Sequence, residues 1–280
     1  MGISPYLAGW IYALGIAWDA VTDPFMGYLA ERTSSPRGRY RPYILFGTIP
    51  LALSFVLLFW VPPLEGLSLF LCLVVINVFH RTCFTIVSVP YSSLTPRITS
   101  DSEERTKLTT ARMIGASFGT LLMSSLGFPI INYFGQDNES LGIIYLSSFA
   151  ACFAVIILYI TYASVKESST KEIKETYPSV SKLILSILKN YPFWIVFSSI
   201  LILGSTTIMF NKNLIYYIKY ALDLHSYQGL VLGLSGLSSF ASIPFWSYVS
   251  LKIGKRNTWQ ISMSLLLIEL ALFYFYLIKT

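Results

Sequence analysis

Of 280 residues, 54% are hydrophobic and only 12% are charged, against about a quarter charged in an ordinary soluble domain. That balance excludes a soluble fold of one or two domains and points to an all-α, polytopic membrane protein. The net charge of +6 does not point to nucleic acid, because the basic residues sit in short loops between apolar runs.

Eight candidate spans follow along the chain, at 7–30, 42–62, 68–92, 108–133, 141–163, 193–218, 227–249 and 258–278. Each is near the roughly 20 residues that cross a hydrocarbon core of about 30 Å. Fifteen of the twenty Lys and Arg fall in alternate loops, among them Arg32, Arg37, Arg39, Arg41, Arg97, Arg105, Lys171 and Lys255. The positive-inside bias therefore puts residue 1 outside and loops 31–41, 96–107, 164–191 and 251–257 in the cytoplasm of a multi-pass cell-membrane protein. An external amino terminus with no signal-peptide pattern leads us to expect a span before Met1, and the chain stops just past its last span. It reads as incomplete at both ends or naturally shortened.

The first span holds WDAVTDPFMG, with Asp19 and Asp23 four residues apart in an otherwise apolar run. A helix ending at Thr22 would be too short to cross, so both acids belong within the bilayer's depth, on one helix face. A carboxylate there costs about 2.5–3.5 kcal/mol on insertion scales, so such residues face a cavity, a partner or an ion path. Two adjacent acids repel when both are ionised, and a cation relieves that repulsion. The pair therefore reads as a site for H⁺ or Na⁺. Its expected partner is Arg81 in the third span. Counted from the outer end of each span, Asp19 and Arg81 both lie about 18–20 Å deep at 1.5 Å per residue. Arg112 and Lys212 lie nearer the ends of their spans, where a long side chain can snorkel to the interface.

The first five spans (1–163) read as one bundle and residues 192–280 as the start of a second. The polar stretch 164–191 is the linker between them. It reads as a solvated connector, and the alternative is that SKLILSILK forms a short amphipathic helix along the interface. A short repeat supports two halves: Pro24-Phe25-x-x-Tyr28 before Gly38-Arg39, and Pro244-Phe245-x-x-Tyr248 before Gly254-Lys255. Ser100 with Glu103 reads as a capping box that starts the fourth helix. Cys72, Cys83 and Cys152 lie inside apolar runs and read as packed or lipid-facing thiols. No nucleophile motif, P-loop or metal-ligand motif competes, so no enzyme and no cofactor are expected.

WDAVTDPFMGYLAERTSSPRGRYRPYILFGT resembles the second and third helices of the glycoside–pentoside–hexuronide cation symporters, the major facilitator branch that includes melibiose permease. VPYSSLTPRITSDSEERTKLTTAR looks like that family's fourth helix and the following loop, and NLIYYIKY and PFWSYVSLKIGKR resemble its seventh and eighth. The resemblance implies a twelve-helix fold of which helices two to nine are here. It matches Asp19 and Asp23 to the family's paired cation-coupling acids, with Na⁺ as the metal they would take, and Arg112 to an arginine near the sugar pocket. The substrate cavity it implies is lined by Ser88, Tyr91, Ser92, Arg112, Asn211 and Tyr216. Two features depart from the melibiose pattern. Ser88 and Ser92 stand where that permease has an acid and an aromatic, and Arg81 stands where it has a small residue.

The expected function is cation-coupled symport of a small solute, a sugar or glycoside, by alternating access. Asp19, Asp23 and Arg81 would form the coupling centre, and Glu31, Arg32, Arg39 and Arg41 a cytoplasmic gate. The alternatives are a lysolipid symporter of the same fold and a truncated, non-transporting remnant. Membrane lipid and a small-molecule substrate are the expected partners. A complete chain would be a monomer, and a shortened one would assemble with a partner chain.

Overall fold

The computed structural model describes residues 3–99, 101–136, 138–165, 167, 185–216 and 228–279. Among them eight long helices follow in order: α1 (Pro5–Arg32), α2 (Arg41–Leu58), α3 (Gly66–Ile98), α4 (Ser102–Gly135), α5 (Glu139–Ser164), α6 (Tyr191–Tyr216), α7 (Gln228–Ile253) and α8 (Lys255–Lys279). No strand occurs among the described residues. Among the described residues, four stretches are long and apolar enough to cross a membrane: α2, α3, Ser140–Ser164 of α5 and Tyr191–Met209 of α6. α1, which carries Asp19 and Asp23, and α4, which opens on Ser102-Glu103-Glu104-Arg105, are more polar. Large apolar side chains such as Phe25, Phe46, Val75 and Ile157 stand exposed along the helices. Lipid tails suit such surfaces, and water does not.

Local chemistry explains where the helices start and stop. The Ser4 hydroxyl accepts from the Leu7 N–H, and Pro5 fills the first turn of α1, where its missing N–H costs nothing. The helix then runs unbroken through Pro24. α3 likewise continues through Pro90 and Pro96 to Ile98, six residues past the span read from hydropathy. Hydropathy marks where the apolar run ends, whereas the helix ends only where its backbone turns extended at Thr99. The cap of α4 also differs from the expected Ser100–Glu103 box. Asp101 is the N-cap and accepts from the Glu103 N–H at 3.0 Å, and Ser100 itself lies outside the described residues. A carboxylate one residue nearer the helix does the same work, with added attraction to the helix dipole.

The chain forms two compact units. The first comprises Met1–Ser169 and Ile243–Thr280, the second Thr170–Ser242. In the first, α3 packs against α1, α2 and α4, and α5 packs against α2 and α4. Its core lies where α1 ends and α2 begins: Met26, Ala30, Tyr40, Ile44 and Leu94 are buried together, with Tyr162 and Val165 packed against them. The hydroxyls of Thr110 and Ser247 meet at 2.7 Å, and Lys255 donates to the Ser102 hydroxyl at 2.9 Å. The second unit holds α6 and the first part of α7. Of the alternative interfacial helix, residues 185–188 are helical, and residues 181–184 lie outside the described residues.

Candidate functional site

α1 and α3 lie side by side in parallel, in a register offset by 62 residues. Asp19 meets Arg81 and Asp23 meets Thr85 at that offset. Gly15 faces Asn77, and Gly27 faces Val89, at the same offset. On α1 this is one four-residue ridge, Gly15–Asp19–Asp23–Gly27, and on α3 another, Asn77–Arg81–Thr85–Val89. Small residues at the ends of the α1 ridge let the two backbones approach, as they do in membrane helix pairs generally. Trp18 Nε1 donates to the Thr82 hydroxyl at 2.9 Å across the same seam.

Arg81 is held from several directions. Its Nη1 donates to Asp19 Oδ2, its Nε donates to Asn77 Oδ1 at 3.1 Å, and its guanidinium lies 5.5 Å from the centre of the Tyr12 ring. The side chains of the pair are only 19% (Arg81) and 28% (Asp19) exposed. Space for the guanidinium exists because residue 15 is glycine. A Cβ there would stand 2.3 Å from Arg81 Nε and 2.4 Å from Asn77 Oδ1. Asp23 accepts from the Thr85 hydroxyl at 2.7 Å. One carboxylate of the pair is thus matched by a full positive charge and the other by a neutral donor.

Farther along α3, Ser88 and Tyr91 are half-buried and Ser92 is exposed. Arg112 of α4 lies 5.8 Å from the Tyr91 ring centre, so those two expected cavity residues come together. Asn211 and Tyr216 are on α6, and their side chains, like that of Lys212, fall outside the described residues. A separate open groove of about 390 Å³ lies among Tyr43, Phe46, Pro50, Cys83 and Ile86. Its apolar lining shares none of the expected cavity residues.

Glu31, Arg32, Arg39 and Arg41, the expected gate residues, lie at the end of α1 and the start of α2. Glu31 accepts from Arg97 at 2.6 Å and from the Tyr40 hydroxyl. Burial, followed by the Glu31 carboxylate, pushes the Tyr40 phenol up to about 12. Arg41 donates to the Tyr162 carbonyl at 2.8 Å and lies over the Tyr162 ring. Arg32 lies over the Tyr28 ring. The linker is not wholly a solvated connector. The Glu167 carboxylate accepts from the backbone N–H groups of Arg39, Tyr40 and Arg41 at 2.7, 2.9 and 3.0 Å. It thereby caps the N-terminus of α2, where unpaired N–H groups and the helix dipole favour an anion. Gly38 has a φ of +104°, and a Cβ there would stand 2.6 Å from Glu167 Oε1.

Sequence reasoning missed Thr85, Gly15, Arg97 and Glu167. The first two were accessible from the four-residue spacing once Asp19 was paired with Arg81. Arg97 reads as a loop residue because the hydropathy of the third span ends at residue 92, while α3 runs on to Ile98. Glu167 carried no signal within a mixed-charge linker. The short repeat has matching geometry: Arg32 lies over Tyr28 at 4.1 Å and Lys252 over Tyr248 at 4.7 Å.

A part-buried ion pair on the seam between two helices of an apolar bundle fits the class of a polytopic integral membrane protein. The family model described as MFS/sugar transport protein matches residues 1–279, and the chain belongs to that family. It is 28% identical over 272 residues to the isoprimeverose transporter of Lactiplantibacillus pentosus, covering 95% of this chain and 56% of that protein. It is 27% identical over 265 residues to a glucuronide carrier protein homolog of Escherichia coli K12, covering 93% and 57%. A sodium-dependent lysophosphatidylcholine symporter of Danio rerio is 27% identical over 308 residues, covering 95% and 57%. The chain spans about half the length of the curated relatives it matches.

Proposed function

We propose that this chain carries the coupling half of a secondary transporter that moves a small polar solute, a sugar or glycoside, together with H⁺ or Na⁺. The observation that carries this reading is the seam of Asp19, Arg81, Asp23 and Thr85 between two parallel helices, in a chain of the sugar-transport family. Charge at that depth is costly to keep and suits an ion path. One charge moving down 100 mV supplies about 2.3 kcal/mol, enough to drive accumulation. In this reading residue 1 faces outward, and the Glu31–Arg97 and Glu167–α2 contacts lie on the cytoplasmic side. Ser88, Tyr91, Ser92 and Arg112 line the solute path. Sugar chemistry is supported by the names of two relatives, an isoprimeverose transporter and a glucuronide carrier homolog.

The second reading is an amphiphile symporter of the same fold, favoured by the comparable similarity to the lysophosphatidylcholine symporter. The test is uptake by proteoliposomes carrying the protein at its native length, with labelled glycosides and a labelled lysolipid, under imposed H⁺ and Na⁺ gradients. Glycoside accumulation against its gradient supports the first reading. Lysolipid movement without glycoside uptake replaces it with the second, and neither movement ends both.

A further inference from the structure

The two acids of the seam do not stand in equivalent surroundings. Asp19 is bonded to a guanidinium, and Asp23 to a hydroxyl. Three features mark Arg81 as built into its place and not passing through it: the Nε bond to Asn77, the Tyr12 ring, and the Gly15 gap that a single methyl would fill. A guanidinium is charged at every accessible pH. We propose that Arg81 is a resident counter-cation that takes the place of an alkali metal ion at Asp19. The coupling centre of this protein is therefore blind to Na⁺ and Li⁺. The inference rests on the reading of Asp19 and Asp23 as that centre.

The charge balance supports it. Two carboxylates and one guanidinium leave a net charge of −1, where two bare acids would present −2. A Na⁺ approaching Asp19 meets Arg81 at a similar distance. At similar distances its attraction to the carboxylate and its repulsion by the guanidinium are of similar size, so the two largely cancel. Asp23 and Thr85 alone then offer one charge and one hydroxyl, a poor set for an ion that must shed its water. Arg81 is also tethered, so no gradient can carry it across.

The experiment is thermal melting of the native-length protein in detergent while NaCl replaces choline chloride at constant ionic strength. The wild-type melting temperature is expected to stay flat. Arg81→Ala leaves Asp19 uncompensated and is expected to melt higher as Na⁺ rises, with Na⁺ affinity up by at least about tenfold. Arg81→Gln, which keeps an amide for Asn77, carries the same expectation should Arg81→Ala fail to fold. Asp19→Asn/Arg81→Gln is expected to be blind again. A wild-type response to Na⁺, or no response in either single variant, overturns the inference. Glycoside uptake in vesicles tests the parent reading separately. Uptake stimulated by Na⁺ overturns only the inference, whereas uptake absent under every gradient overturns the transport reading.

Discussion

The Thr85 hydroxyl donates to Asp23 at 2.7 Å, one helical turn along the seam from the point where Arg81 grips Asp19. The same 62-residue offset joins both pairs, so a relative slide of α1 along α3 would break them together. Coupling of a solute to an ion requires such a link between charge and helix position.

In the proposed transport reading, Asp23 is the acid whose loss is expected to uncouple. Asp23→Asn is expected to abolish uphill uptake while leaving some downhill exchange, and full accumulation in that variant would remove Asp23 from the mechanism. Thr85→Val deletes the donor, and a hydrogen bond to a charged group contributes about 1.5–3 kcal/mol. It is expected to lower steady-state accumulation at least about tenfold. Thr85→Ser, which keeps the hydroxyl, should retain most of it.

Gly15→Ala tests the close approach directly. The added methyl would sit 2.3 Å from Arg81 Nε, and overpacking of this kind costs about 1–3 kcal/mol. The melting temperature should fall. In an Arg81→Ala background the same substitution should cost less, because the atom it meets is gone. Equal costs in the two backgrounds would mean that Gly15 does not make room for Arg81.

Much of this arrangement was legible because bilayer depth is a one-dimensional coordinate. Asp19 and Arg81 were placed at the same level by counting, and the alternation of basic loops put their helices in parallel. The charge network at the end of α1 was not legible. Arg97 reaches Glu31 only because α3 runs on past Pro96. Hydropathy falls away after residue 92, whereas the helical backbone continues to Ile98, so the apolar run underestimates the helix. Glu167 was hidden for another reason. One acid in a linker of Lys, Glu, Ser and Thr carries no periodic signal, and its partner is backbone, which has no sequence identity at all.

That contact makes a prediction about stability. Glu167→Ala removes the acceptor for three N–H groups at the start of α2, and losing a cap costs about 0.5–2 kcal/mol. The melting temperature should drop, and Glu167→Gln, with one remaining acceptor oxygen and no charge, should fall between. A Glu167→Ala protein as stable as wild type would mean that water caps α2 equally well. Gly38→Ala should destabilise as well, since it strains a φ of +104° and intrudes on the same carboxylate.

Tyr40 gives the last prediction, which concerns pH. It is only 4% exposed, its hydroxyl donates to Glu31, and its phenol is raised from 10.0 to about 12. Because the folded value lies above the unfolded one, the folded state holds this proton more tightly. The resulting stability is fully present below pH 10 and is lost as pH climbs from 10 through about 12. Other groups titrate in that range, so the measurement is the difference in melting temperature between wild type and Tyr40→Phe. Tyr40→Phe keeps the ring but leaves Glu31 with one donor fewer, so wild type should be the more stable below pH 10. The gap should then narrow steadily as the phenol ionises beside a carboxylate. A gap that stays constant up to pH 12 would show that the Tyr40 proton is not held by Glu31.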